Sequence, residues 1–422
     1  MPTVFDPAQI DLTTIIRPGD VVAWGQALAE PLPLTAALMN QRHRIGKFGV
    51  FVGIAHAQPL KAEYADYIKF VGYIGTGHRE LLDAGKLDIM PCHYSEVGRM
   101  VASGALKIDV LMVQVSPPNK NGDYSFGMAN DFLVPAITRA RVVIAEVNAQ
   151  CPWTHGERTL CASDFHYIVN TSRPLPEMKL GEQSIIEQQI AKNAAAFIED
   201  GATLQFGVGV LPEAILAQLK DRRDLGVHSG TIGDQTAALI EAGVITNARK
   251  SIDRGATVAT FLMGTSRIAA FAHQNPAIQL RACTYTHNAD VLAKIDRFAA
   301  INSAFEVDLT GQVSSEVARD SYVGAVGGAG DFLRAAARSA DGVPLVALPS
   351  RAKTVSRIVS QLSGPVSTPR SDAGIIVTEF GAADLRGSTL SQRIKRMIAI
   401  AHPEDRENLE RSAIALPGAA RD

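Results

Sequence analysis

The chain is short of cysteine, of charge of either sign in excess, and of long apolar runs, and each shortage excludes a class of protein. Its 4 cysteines, Cys92, Cys151, Cys161 and Cys283, lack the spacing of a zinc site. No metal is expected, and a reduced, cytoplasmic setting is the default. Asp and Glu total 43 against 41 Lys and Arg, a net charge of -2, and the basic residues form no run or stripe. The sequence therefore gives no electrostatic case for a nucleic-acid or membrane partner. The apolar stretches are shorter than a membrane span and are broken by Gly or charge. The opening "MPTVFDPAQIDLTTIIRPGD" has no basic region followed by an apolar core, so it does not read as a signal peptide.

What is present is apolar and turn-rich. Of 422 residues, 46% are hydrophobic and 20% charged, with 35 Gly and 21 Pro. That balance suits globular domains with sizeable cores, and the length suits two of about 200 residues. "RPGDVVAWGQALAEPLPLTAALMNQ" from Arg17 and "EDGATLQFGVGVLPEAILAQLKDR" from Glu199 run through the same order: a polar turn, an apolar strand, a Gly-containing turn, and a Leu/Ala-rich helix near a Pro. "KIDVLMVQV" and "FEVDLTGQV" add a second echo, each reading as a buried strand leading to a polar loop. Further strands are expected at "VVIAEV", "TVATFLM", "VPLVALP" and "GIIVTEF", with helices at "QSIIEQQIAKNAAAFIE" and "FLRAAARSA". Apolar strands alternating with helices predict two similar α/β domains with mostly parallel sheets, related by internal duplication. The Ser, Pro and Gly of "YIVNTSRPLPEMKLGEQ" place the junction there, giving domains 1–183 and 184–422. Ligands of such sheets sit beyond the C-terminal strand ends, and a shared site is expected in the cleft between the domains.

Three glycine-bearing turns stand out. Gly207 and Gly209 lie between a strand and a helix containing Pro212, where close backbone approach and free helical N–H groups suit an anion. A tight strand–helix turn explains the same pattern, and neither a dinucleotide fingerprint nor a Walker A loop is complete. "SYVGAVGGAGDF" places Gly324, Gly327, Gly328 and Gly330 together, which fits a ligand-facing loop or a crowded chain crossing. Met263, Gly264 and Thr265 follow a strand. Their N–H groups could meet an anionic or carbonyl group, or Thr265 or Ser266 could simply cap the next helix. Glu146 and Glu306 sit in or beside apolar strands, where a carboxylate is either paired or functional.

Taken together, "INSAFEVDLTGQVSSE", "GGAGDFLRAAARSADGVPLVALPS" and "VTEFGAADLRGSTLSQRIKRMIAIAHPEDRENL" resemble the acetyl-CoA hydrolase/transferase family, class I CoA-transferases that include 4-hydroxybutyrate CoA-transferase. "GKLDIMPCHYSEV", "VSPPNKNGDYSFG" and "AEVNAQCPWTHGE" extend the resemblance over nearly the whole chain. It implies exchange of CoA between an acyl-CoA, such as acetyl- or succinyl-CoA, and a small carboxylate through a glutamyl intermediate, with no tightly bound cofactor. A hydroxy acid or itaconate is the expected kind of acceptor. An acyl-CoA hydrolase and a non-catalytic CoA-binding protein are the alternatives. The resemblance assigns Gly207, Gly209, Met263, Gly264, Thr265, Gly327 and Gly328 to CoA binding, the last two near the thioester, and it implies a homodimer or homotetramer.

Two positions depart from the family pattern. The resemblance implies a nucleophilic Glu in the turn after "GVH", but this chain reads "GVHSG" and has Gly230 there. Ala329 likewise stands where many relatives have Gln. Glu63, in the loop and early helix after the strand of "VFVGIAHAQPL", is the expected replacement nucleophile; an ordinary helix-start Glu beside Lys61 is the plain account of the same residue. Glu30 is a further candidate, Asp234 is not favoured, and Glu146 and Glu306 read as loop organisers. Arg351 or Lys353 could approach a phosphate or be solvated loop charges.

Overall fold

The structure is a computed structural model and describes residues 2–6, 9–57, 59–318, 321–416 and 418. It contains two compact α/β units. The first comprises Met1–Lys179, Gly230–Asp234 and Ala256–Asn288; the second comprises Leu180–Ser229, Gln235–Gly255 and Ala289–Asp422. The segment 184–422 thus supplies two pieces to the first unit. The reason is local: the strand Thr231–Ile232 pairs with Phe261–Leu262, and Ile278–Leu280 pairs with both Thr257–Ala259 and His155–Gly156.

The first unit is built on eight strands: β1 (Thr3–Phe5), β2 (Val21–Trp24), β3 (Phe48–Val52), β4 (Ile68–Gly72), β5 (Leu87–Ile89), β6 (Val110–Val115), β7 (Val142–Asn148) and β8 (Tyr167–Thr171). Their order is β1-β8-β7-β6-β2-β3-β4-β5, and every pairing is parallel. All residues of β6 and β7 are buried, which is why these strands read as mostly apolar runs, interrupted only by Gln114, Glu146 and Asn148, rather than as alternation. The order reverses beside β2, where ligands of open parallel sheets bind beyond the strand ends.

The second unit has β9 (Thr203–Phe206), β10 (Gly226–Val227), β11 (Phe298–Ser303), β12 (Val343–Ala347), β13 (Ile375–Thr378) and β14 (Gly381–Asp384), in the order β10-β9-β11-β12-β13-β14. Only β14 is antiparallel. The core of this unit includes Phe298, Val346 and Ile376 from its strands, with Phe332 and Leu333 from the helix Ala329–Arg338.

Two sequence expectations are corrected. "FEVDLTGQV" is not a core strand equivalent to β6. Glu306–Asp308 pairs with Val313–Ser314 as an antiparallel hairpin and with Ile358–Val359 on its other side, in a separate small sheet. The core strand of that region is β11, just upstream. "TVATFLM" is two strands, not one, broken at Thr260, whose buried hydroxyl bonds Thr286 at 2.6 Å. No helix among the described residues is long and apolar enough to cross a membrane.

Candidate active site

In the second unit, five parallel strands end on one edge, and polar groups gather directly after them. The strand β10 continues through His228, whose N–H donates to Leu204 O at 3.0 Å. Ser229, fully buried, is pinned to the end of β9: its Oγ accepts from Phe206 N at 3.3 Å and donates to Phe206 O at 3.2 Å. The structure therefore places the "GVHS" stretch beside the glycine turn Gly207–Gly209. Gly209 has a φ of 131°, open only to glycine, and the helix Val210–Ala217 that it starts has no side-chain cap. With Pro212 in the first turn, the leading amides point outward without competition from a capping hydroxyl.

At the next strands, Gln205 and Asn302 exchange amide hydrogen bonds on the buried face of β9 and β11. Beyond β12 and β13, Ser350 holds Glu379, its N–H donating to one carboxylate oxygen at 2.9 Å and its Oγ to the other at 2.6 Å. Arg357 is half-buried nearby; burial draws its guanidinium below the ordinary range, and the Glu379 charge acts in the opposite direction. Gly327 has a φ of 59° with little near its Cα, and Gly328 precedes the helix Ala329–Arg338, which also has no side-chain cap. Gly324 is of the other kind: a Cβ there would collide with the Ser315 carbonyl, so it marks a crowded crossing.

In the first unit, Met263–Thr265 is a closed turn. The Asp234 carboxylate accepts from Thr265 N at 3.0 Å and Ile268 N at 3.1 Å, while Glu177 accepts from Ser266 N at 2.8 Å and Thr265 Oγ from Arg267 N at 3.2 Å. Protein oxygens thus occupy the N–H groups of all four residues 265–268, and of the two readings of Thr265 the N–H facing a ligand is not the one seen. Helix capping by Thr265 is the form realised. Gly264 fits because a Cβ would stand 2.8 Å from Asp234 Oδ1. Thr265 and Ser266 nevertheless line a groove of about 650 Å³ with Met128, Leu175, Glu177 and His273. That volume is in the range of small-molecule sites.

The strand ends of the first unit carry two buried networks. Gln26 is fully satisfied. Its Oε1 accepts from Ile54 N at 2.9 Å and Tyr73 Oη at 2.7 Å, and its Nε2 donates to Tyr94 Oη at 2.7 Å and Asp131 Oδ2 at 2.9 Å. Burial pushes the Asp131 carboxyl up to about 6, against the Gln26 and backbone hydrogen bonds that favour its charged form. Glu146, fully buried, is paired with Arg173 at 2.7 and 2.9 Å and accepts from Thr171 Oγ at 2.7 Å. Of its two readings, the paired one holds.

Glu30 is buried, and its carboxylate accepts from Ala57 N at 2.9 Å. With Trp24, Thr35, Tyr64 and His78 it lines a cavity of about 20 Å³, room for one water. His78 Nε2 donates to Gly53 O at 2.7 Å, its Nδ1 has no partner among the described residues, and burial lowers its pKa. Glu63 lies on the short 3-10 helix Ala62–Asp66, its side chain 64% exposed and 3.8 Å from Lys61. Its carboxylate accepts no hydrogen bond among the described residues. Arg351 is not free for a phosphate: Asp405 takes it at 2.7 and 2.6 Å, and Glu404 at 2.5 Å. Among the described residues no group of three or more His, Cys, Asp or Glu could hold a metal ion.

Sequence reasoning missed Ser350, Asn302 and Arg357. Ser350 and Asn302 have a signal, a polar residue at or just after the end of an apolar strand, but the pairing of Ser350 with Glu379 depends on β12 lying beside β13.

Parallel strands ending on uncapped helix starts and buried polar side chains define an α/β protein suited to anionic ligands at its strand ends. The chain belongs to the acetyl-CoA hydrolase/transferase family. The family's N-terminal domain matches residues 8–176 and its C-terminal domain residues 264–413. The chain is 39% identical over 400 residues to the 4-hydroxybutyrate coenzyme A transferase of Clostridium kluyveri, covering 92% of each. Among solved structures it is similar to RipA from Yersinia pestis, at 34% identity and a TM-score of 0.92, covering 98% of this chain and 97% of that one. A 4-hydroxybutyrate CoA-transferase from Porphyromonas gingivalis matches at 34% identity and a TM-score of 0.82, covering 97% and 96%.

Proposed function

We propose that the protein transfers CoA from an acyl-CoA, acetyl- or succinyl-CoA among the donors, to a small carboxylic acid. The observation that carries this reading is the strand-end edge of the second unit, where the uncapped turn at Gly207–Gly209 lies beside "GVHS" and Glu379 is held by Ser350. Family membership and the CoA-transferase relatives support it. The uncapped amides supply donors for an oxyanion. The groove at Thr265 offers apolar surface to a pantetheine arm.

Glu63 is the nucleophile of this reading, in place of the glutamate that Gly230 lacks. Glu30, Glu146, Glu306 and Glu379 all accept hydrogen bonds, whereas the Glu63 carboxylate accepts none among the described residues and faces the exposed Lys61 ammonium at 3.8 Å, which leaves it available to attack. Attack on the thioester carbon expels CoA thiolate and forms a mixed anhydride. The thiolate then attacks the glutamyl carbonyl, giving a glutamyl-CoA thioester and releasing the first acid. The acceptor carboxylate reverses both steps, so the thioester energy is conserved throughout. The exposure of Glu63 also favours a second reading, hydrolysis, because water can reach an acyl-enzyme there.

Purified protein is incubated with acetyl- or succinyl-CoA and with acetate, 4-hydroxybutyrate or itaconate. New acyl-CoA that appears only with an acid supports transfer. Free CoA released without an acid favours the hydrolase, and binding without turnover refutes both.

A further inference from the structure

One β-hairpin of the second unit holds Arg351 and leads directly into Arg357, and only the first of these arginines is paired. The hairpin joins Arg351–Ala352 to Val355–Ser356, with Arg351 opposite Ser356. Arg351 is saturated by Asp405 and Glu404. Arg357 follows immediately. Its backbone is fixed on both sides: its N–H donates to Ser350 O at 2.8 Å, and its carbonyl accepts from Val307 N at 2.9 Å. Its side chain makes no hydrogen bond and no ion pair among the described residues. The carboxylate that acts on it, Glu379, is beyond ion-pair distance and already has both oxygens bound by Ser350.

An arginine carries five N–H donors in a planar fork, and those of Arg357, half-buried and bound to no protein acceptor among the described residues, are left available to an anion. The small sheet that the chain joins at the next residue, Ile358, holds an unmet group: Ser314, on the other side of Glu306–Asp308, is fully buried with its Oγ unpartnered. Through Ser350, Arg357 is tied to the chain just after β12, at the strand-end edge where ligands of parallel sheets bind.

We propose that Arg357 is a substrate-binding residue whose guanidinium receives an oxyanion, either the carboxylate of the acid or a phosphate of CoA. Both groups match the fork in a two-point hydrogen bond. The choice of these two anions rests on the CoA-transferase reading above; the presence of an anion site does not.

The test compares wild type, Arg357→Met and Arg357→Lys as full-length proteins, by calorimetric titration and thermal melting. The titrants are CoA, dephospho-CoA, pantetheine and 4-hydroxybutyrate. Because the guanidinium is unpaired, Arg357→Met is expected to melt at the same temperature or higher. It should also weaken binding of one anion roughly 10- to 100-fold, the usual loss for a charged hydrogen bond. Arg357→Lys should recover part of that loss. Weakening confined to 4-hydroxybutyrate assigns the carboxylate. Weakening toward CoA that vanishes with pantetheine assigns a phosphate. Unchanged affinities overturn the proposal, as does a lower melting temperature with equal weakening toward every ligand, which marks a structural role. A wild type that binds neither anion overturns it as well. A wild type that binds both but exchanges no CoA defeats the transferase reading alone and leaves the comparison of variants readable.

Discussion

Lys250 crosses directly over Gly226 and donates from Nζ to the carbonyl of Val227 at 2.8 Å. Asn247 accepts from Val227 N at 2.9 Å, so both backbone groups of an edge-strand residue are held by side chains from one turn. β10 is an edge strand with β9 on one side only, and this arrangement closes its free side just before His228 and Ser229.

Gly226→Ala would drive a Cβ into the Lys250 stem. It should lower stability by about 1–3 kcal/mol. Lys250→Ala should cost a comparable amount by unpairing the Val227 carbonyl, about 1–3 kcal/mol. Since removing the Lys stem clears the space for the new methyl, the double variant should lose less than the two single losses combined. Urea unfolding midpoints of the four proteins measure the coupling, and strict additivity would contradict it.

Asp131 and His78 should pull stability in opposite directions on acidification. The native Asp131 carboxyl titrates near 6 and its ordinary value is 3.8, so between these the folded state holds the proton more tightly. Its contribution therefore rises as pH falls from about 6 to about 4, by on the order of 3 kcal/mol at most. His78 has a native pKa below 6.5, so the unfolded chain protonates first and stability falls as pH drops through that value. Unfolding midpoints across this range should show the stability difference between wild type and Asp131→Asn growing on acidification, and that between wild type and His78→Gln shrinking.

Glu63→Gln keeps volume and polarity but cannot form the anhydride. CoA binding should be nearly unchanged, while transfer falls by about 10³-fold, roughly 4 kcal/mol of barrier. Hydroxylamine trapping of wild type incubated with acyl-CoA, followed by peptide mass mapping, should mark the Glu63 peptide. Full activity in the variant without an adduct would reject the assignment; an adduct on Glu30 or Glu379 would move it.

Asp234→Ala frees the amides of Thr265 and Ile268 and should cost about 1–2 kcal/mol, the usual loss for a helix cap. Gly264→Ala should destabilise the wild type more than the Asp234→Ala background, because the carboxylate is what its methyl would meet. Differential scanning calorimetry of the set decides this.

Much of the fold was legible because parallel strands covered on both faces are written as mostly apolar runs, as in β7 and β12. β11 escaped because "FAAINS" packs small alanines that favour helix elsewhere, and only its neighbours β9 and β12 make it a strand. "FEVDLTGQV" misled for the complementary reason: Val307, Leu309 and Val313 are buried, and buried alternation suits a hairpin in a small separate sheet and a core strand alike. In the candidate site, glycines at positive φ announce themselves, as Gly209 and Gly327 do. An arginine's partners do not. Nothing in "PSRAKTVSRIV" distinguishes Arg351, claimed by a distant helix, from Arg357, claimed by none.

The interleaving of the two units along the chain bears on how the protein is made. The first unit takes its last strand, Ile278–Leu280, from far downstream, and Asn130 Nδ2 donates to Leu280 O at 2.9 Å. A nascent chain leaving the ribosome therefore cannot finish this unit at its first 179 residues. It must wait until residue 288 has emerged, with the beginning of the second unit already outside the exit tunnel. A fragment ending at 183 would leave His155–Gly156 without its strand partner and Asn130 without its acceptor, and it should be recovered as an aggregation-prone species rather than as an autonomous domain.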